Sequence, residues 1–453
     1  MTTQLEPDES PTATATATAT AVAGTHTPHR VEEPFRVAPE RYYSPEFAAW
    51  EREKLWRHCW QVACRAEEIP RAGDFTEYEI TGQSILVVRQ DDGSVKAYFN
   101  ACRHRATALG AGTGEFLGGQ IVCPYHGWRW KLDGESTHVY AAKGFRKECL
   151  DPDFLRLREC RSVVSMGLVF VNLDPDGPEF ADTVGHFENA LAPIGLDRMR
   201  VRWWRYAVLP ANWKIAQEAF MEAYHVQQAH PSLAMGAGDD DFDNEDAEGY
   251  EILPGGNAHM VHATLPLPPG MTQAEHFTRY NWAMHHGTGA YPTEREMFVQ
   301  TGLQERKIPD DQFIGAFFQE LYNYAEGAGI PLPPPSTDTV GFGHAFPNIT
   351  VLSQYGNALM YRSRPNGDDP ESCIFDVWAL QIPSADDEPG RPTREGPVPM
   401  EEWPQILKED FSNIAGQQKG LRTDGMDTLL LSERYEPMII NNHQEIDRYL
   451  GRF

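Results

Sequence analysis

The chain has 453 residues, 41% hydrophobic and 23% charged, which is enough for two or three domains with sizeable cores. Its formal net charge of −27 excludes the basic footprint that nucleic acid or an anionic lipid surface demands, and leaves a charge-guided protein partner open. No apolar run reaches the ~20 residues of a membrane span. The acidic start MTTQLEPDES lacks a secretory apolar core, and seven cysteines, an odd number spread along the chain, fit a reducing compartment, so a cytoplasmic location is expected.

Residues 1–33 are expected to form a disordered tail, because the Thr-Ala alternation from Thr12 to Ala21 offers nothing bulky to bury. Residues 34–178 read as a β domain with N-terminal helices. Ser84 to Arg89 predicts a strand, Asp91-Asp92-Gly93 a hairpin turn, and Val95 to Phe99 the return strand. Trp128 to Leu132, closed by Asp133-Gly134, repeats the device, and Gly167 to Val171 predicts a further buried strand. The Pro- and Gly-rich stretch Asp174 to Pro178 marks a boundary to a larger α+β domain over residues 179–453. There, Ala216 to about Gln228 predicts a helix, Asn348 to Tyr355 and Ser372 to Ile382 strands, and Glu409 to Gly420 and Glu445 to Leu450 helices.

Two constellations carry chemistry. Cys102 and His104 form one pair, Cys123 and His126 another, with 18 residues between the pairs. Four such donors on two loops suit a compact metal centre. It is either a [2Fe-2S] cluster with two Cys on one iron and two His on the other, or a structural zinc with the same donors. The single residue between Cys102 and His104 is shorter than usual zinc spacing, which favours the cluster.

The second constellation lies between Asn212 and Pro231. On a helix, at about 100° per residue, Glu218, Glu222 and His225 share one face. His230 falls elsewhere, so both imidazoles reach one metal only if the helix distorts or ends between them. Pro231 supplies a reason for an ending, since it disfavours helical geometry at His230. Two His with one carboxylate would make a facial triad suited to non-haem Fe(II) and O2; the competing reading is a structural His pair. The spacing is not that of a zinc protease. The acidic run Asp239 to Glu248 reads as a solvated loop, since it lacks calcium-loop spacing.

The segments CRHR at 102–105, CPYHGW at 123–128, and Glu222 with His225 and His230 resemble the large (alpha) subunit of Rieske-type, aromatic-ring-hydroxylating oxygenases, from about residue 40 onward. The resemblance implies a Rieske β domain followed by a helix-grip (Bet v 1/START-like) catalytic domain. It implies a [2Fe-2S] cluster on Cys102, His104, Cys123 and His126. It also implies mononuclear Fe(II) on His225, His230 and a downstream acid. Asp410 is the choice for that acid and Glu409 the fallback; the competing reading is an acidic helix start stabilised by the helix dipole. Glu222 stands where ring-dihydroxylating members have Asp and some quaternary-amine monooxygenases have Glu. It is implied to link His225 to His126 of the partner subunit. Ala106 stands where many members have Gly. Implied partners are O2, a ferredoxin and/or NAD(P)H-dependent reductase, and a homotrimer with or without a small beta subunit. The expected reaction is hydroxylation, as cis-dihydroxylation, of an aromatic or other apolar substrate. The alternatives are a monooxygenase or demethylase, amine substrates included, and a non-catalytic Rieske electron carrier.

Overall fold

Short runs of branched and aromatic residues between glycine turns give the first part of the chain two antiparallel β systems. The computed structural model describes residues 29–235, 248–263, 267–334, 342–387 and 390–452. The expected tail therefore lies outside the described residues up to position 28, and the acidic run from Asp239 up to position 247.

A seven-stranded sheet runs in the order Gln61–Arg65, Leu168–Asn172, Glu159–Ser165, Val95–Phe99, Gln83–Arg89, Asp74–Ile80 and Thr113–Glu115. The expected hairpin is present, with Ile85 opposite Phe99 and Arg89 opposite Val95. A three-stranded sheet, Gln120–Val122, Arg129–Lys131 and Ser136–His138, stands beside it. Its packing uses Trp128 and Trp130, which share an apolar cluster with Leu86, Val88 and Tyr98 of the larger sheet.

The second part is built on an eight-stranded sheet in the order Glu248–Ile252, Ala258–Ala263, Phe342–Ala345, Ile349–Gln354, Asn357–Asn366, Asp369–Gln381, Arg200–Leu209 and Arg394–Glu395. All pairings are antiparallel except the last. Its central strands are apolar on both faces, and period-two alternation sorts them. Leu359, Tyr361, Phe375 and Val377 join one cluster with Trp213, Ile215, Phe411 and Ile414 of two helices. Ala358, Met360, Trp378 and Leu380 join another with Phe187, Val62 and Phe170, which ties the sheet's other face to the seven-stranded one. Helices lodged on one face of a large antiparallel sheet give the α+β form expected.

The two ends of the described chain meet. Arg36–Val37 pairs with Leu429–Leu430. Behind it, Glu40–Tyr43, Pro45–Trp50 and Glu51–Trp56 bury Phe47, Leu55 and Trp56 in one cluster with Trp213, Ile446 and Leu450. Two buried ion pairs hold this junction: Arg41 to Asp447 at 2.6 Å and Lys214 to Glu51 at 2.7 Å. Removing one member of either would strand a buried charge, the costly way to break such a pair.

Candidate metal centres

The two Cys–His loops are one turn built twice. The Cys102 N–H donates to Thr107 O at 2.9 Å and the Ala106 N–H to Cys102 O at 2.9 Å. In the second loop the Cys123 N–H donates to Trp128 O at 2.8 Å and the Gly127 N–H to Cys123 O at 3.0 Å. Both turns close through a left-handed residue four positions after the cysteine, Ala106 at φ 61° and Gly127 at φ 66°. The histidine sits second in one turn and third in the other, so unequal spacings hide equal frames. Both cysteines are buried, whereas both histidines are half-buried at the loop tips. The rings converge, with His104 Nδ1 3.2 Å from His126 Nδ1, and the Trp128 ring stacks on His104 at 4.8 Å. Burial pushes the Cys102 thiol up, and the Cys123 thiol beside it adds to the rise. Two inner sulfurs and two outer nitrogens in this order match the donor set of a Rieske [2Fe-2S] cluster.

The second centre differs from the single helix expected over 216–228. That helix ends early, at Trp213–Glu218, and resumes as Val226–Ala229. Glu218 therefore leaves the face it was expected to share. It accepts from Tyr42 Oη at 3.0 Å and lies 3.0 Å from His443 Nε2, in the junction between the chain ends. Glu222 stays with His225 and grips it twice: Oε2 accepts the His225 N–H at 2.9 Å, and Oε1 lies 2.6 Å from Nδ1. His230 ends one short helix and starts the next at φ −120°, with Pro231 in the first helical position. The break brings the two imidazoles together, ring centres 5.2 Å apart.

The downstream acid comes from the helix Gln405–Gly420, which begins after Pro404. Glu409 and Asp410 thus lie in its second turn, not at an acidic helix start. Asp410 Oδ1 lies 3.0 Å from His230 Nε2 and 3.5 Å from His225 Nε2. Glu409, the fallback ligand, instead takes the far side of the other ring, 2.8 Å from His230 Nδ1. Each imidazole is held from behind by a glutamate and turned toward one shared aspartate. Among the described residues, His225, His230 and Asp410 form the group of metal-binding type whose ligand atoms all lie within 4.8 Å of one another.

Burial alone would keep His225 neutral, but the Asp410 and Glu222 carboxylates outweigh it and push the ring up to about 10. His230 rises for the same reason, through Asp410 and then Glu409. Burial raises the Asp410 carboxyl, yet the two imidazoles overcome it and leave it lowered. Three carboxylates around two imidazoles call for a cation, and a divalent metal between Nε2, Nε2 and Oδ1 answers that call.

The group opens on a cavity of about 320 Å³, walled by Phe220, Met260, Tyr291, Phe342 and Tyr361, with Ser353 and Gln354 among its polar groups. The cavity walls and the part that Glu409 plays behind His230 were the features least visible in sequence, whereas Glu222 was already paired with His225. The near-neighbour acids at 222 and 409 were the available signal.

Paired Cys–His loops and a two-His, one-carboxylate group in one chain define the architecture of Rieske-type non-haem iron oxygenases. The chain belongs to the family of ring hydroxylating alpha subunits: the catalytic-domain profile matches residues 196–452, and the Rieske [2Fe-2S] domain profile matches residues 59–148. The latter settles the cluster against the zinc alternative. The chain is 31% identical over 205 residues to the glycine betaine monooxygenase oxygenase subunit of Chromohalobacter salexigens, covering 45% of this chain and 44% of that protein. It is 30% identical over 201 residues to the carnitine monooxygenase oxygenase subunit of Escherichia coli K12, covering 43% and 52%. The chain thus matches about half the length of these relatives. In fold it is similar to naphthalene 1,2-dioxygenase with indole bound, at a TM-score of 0.63 and 20% identity over 93% of each chain. No helix among the described residues is long and apolar enough to cross a membrane.

Proposed function

We propose that the chain is the oxygenase component of a Rieske monooxygenase that acts on an organic amine, hydroxylating a carbon next to nitrogen. The observation that carries this reading is the His225, His230 and Asp410 group at the head of a cavity with aromatic walls and acidic polar groups. Two relatives named for amine substrates, glycine betaine and carnitine, support it over the aromatic cis-dihydroxylation expected from sequence.

In this reading Cys102, His104, Cys123 and His126 hold the cluster, and His225, His230 and Asp410 hold Fe(II). When bound, the cluster supplies electrons from a ferredoxin or reductase and the Fe(II) activates O2. The chain's own residues do the rest. Glu222 and Glu409 keep the proton of each imidazole on Nδ1, so that both Nε2 lone pairs face the metal position. Asp410 would supply the third ligand, a set of three that leaves positions open for substrate and O2. Phe220, stacked on Tyr361 at 4.2 Å, and Met260 exclude water from the reacting carbon. One oxygen atom enters the C–H bond; two electrons and two protons take the other to water; the carbinol then releases an aldehyde and the dealkylated amine. A homotrimer, in which Glu222 links His225 to His126 of the partner subunit, is part of the proposal.

The test is product analysis with a reconstituted electron chain and a panel of quaternary amines, tertiary amines and aromatic hydrocarbons. Aldehyde with dealkylated amine is expected; a cis-diol from the hydrocarbons overturns the reading. Iron content separates the electron-carrier alternative, with about three irons per chain expected against two.

A further inference from the structure

We infer that the substrate is an amine cation with an apolar body and no carboxylate, an inference that rests on the oxygenase reading above. It follows from the charges that face the cavity. Among the described residues, none of those lining it is Lys or Arg. The segments outside the described residues contain neither residue type, so none of them can supply the missing cation. Two arginines reach a carbonyl next to a lining residue: Arg202 donates to Ala290 O at 3.3 Å, beside Tyr291, and is paired with Glu294 at 2.7 Å, while Arg295 donates to Tyr355 O at 2.9 Å, one residue past Gln354. The charge of Arg295 is likewise taken, by the fully buried Glu296 at 2.6 Å.

The remaining charges point one way. Of the three carboxylates around the imidazoles, Glu222 and Asp410 line the cavity, whereas Glu409 lies behind His230 and outside the lining. A bound divalent ion balances the two that face the cavity, so a carboxylate entering this partly desolvated space meets no uncompensated positive charge. Five rings, Phe220, Tyr280, Tyr291, Phe342 and Tyr361, line the same space and suit an ammonium or its methyl groups. A carboxylate would enter without a counter-ion and lose its hydration, the costly case for a buried charge. The volume, about 320 Å³, falls at the lower end of cavities that enclose drug-sized molecules, so the amine carries a hydrocarbon or aromatic body. The chain would thus differ from its betaine- and carnitine-named relatives in rejecting zwitterions.

The experiment is calorimetric titration of the full, metal-loaded chain with three probes of one shape: benzyltrimethylammonium, its para-carboxylate, and neutral neopentylbenzene. Benzyltrimethylammonium is expected to bind at least about tenfold more tightly than either of the others. Equal or tighter binding of the para-carboxylate overturns the inference and leaves the amine oxygenase standing. Equal or tighter binding of neopentylbenzene removes the cation from the inference, and its conversion to a cis-diol would sink the amine monooxygenase reading on which the inference rests. A second arm installs the missing charge. In a Gln354→Lys chain of unchanged iron content, the preference against the para-carboxylate should shrink from about tenfold to near parity. An unaltered preference would show that the missing cation is not what discriminates, and overturns the inference.

Discussion

The two metal centres solve the same problem at opposite sequence ranges. The cluster loops are complete within a few residues each, and their shared turn sets cysteine and histidine before any long-range contact forms. The mononuclear group takes two imidazoles from a broken helix and an aspartate about 180 positions later, so packing alone brings its parts together. Both centres leave imidazole partly exposed, but the second buries His230 and Asp410 and surrounds its rings with acid. A turn-borne centre should tolerate changes in the protein around it and fail only at its own donors. A packing-borne centre should depend on supports that never touch the metal.

The hardest test of that contrast removes one donor from each. Asp410→Ala should abolish mononuclear iron, since it leaves two ligands where three are the minimum, while the visible spectrum of the cluster stays unchanged. Cys102→Ser should do the reverse. Retention of full iron by the Asp410 variant would break the proposed ligand set. Next in size are the supports. Glu222→Gln should leave both metals bound and lower turnover by roughly 10–100-fold, and Glu409→Gln should weaken mononuclear iron binding within the same range. Iron lost from the Glu222 variant would show that it holds the metal site together as well as positioning His225.

These supports explain what sequence could and could not show. The cluster donors were readable because chemistry and turn coincide. The break at His230 was readable because Pro231 is local. The earlier break after Glu218 was not. Glu218, Ala219, Met221, Glu222 and Ala223 include good helix formers, and tertiary contacts override them. Phe220 stacks on Tyr361, Met221 is fully buried in a cluster with Met438, and Glu218 is drawn to Tyr42 and His443. The strands of the catalytic sheet were readable as apolar runs, but the sorting of their two faces was not, because both faces are buried. The separate roles of Glu409 and Asp410 depend on the helix starting at Gln405, four residues before the first of them.

Burial also makes the catalytic side the more acid-sensitive one. His344, on the strand Phe342–Ala345, is fully buried, and desolvation pushes its ring down to about 3. The folded chain holds it neutral while the unfolded chain protonates it below about 6.5. The stability it carries is therefore intact above pH 6.5 and lost as pH falls toward 3. The loss is about 1.4 kcal/mol per pH unit, or about 2 kcal/mol at pH 5. Thermal melting of the metal-loaded chain between pH 7.5 and 5 should show this slope, and His344→Gln should flatten it. Parallel pH profiles in the two proteins would remove His344 as its source.

The smallest effect concerns the turn-borne centre, where the left-handed position carries a Cβ in one copy of the turn and none in the other. Gly127 adopts its left-handed conformation without a Cβ, and a Cβ built there meets no heavy atom within 4 Å. Gly127→Ala should therefore cost only the backbone strain, about 1–2 kcal/mol less the entropy that alanine removes from the unfolded chain. Ala106 already carries that strain at φ 61°, so Ala106→Gly should be neutral or stabilising by up to about 1 kcal/mol. Melting followed at the cluster's visible absorption reports both changes at the loops themselves. Opposite signs for the two substitutions would confirm that one turn is used twice. Destabilisation by Ala106→Gly would mean that the alanine methyl packs against something the symmetric frame does not require, and the equivalence of the loops would be lost.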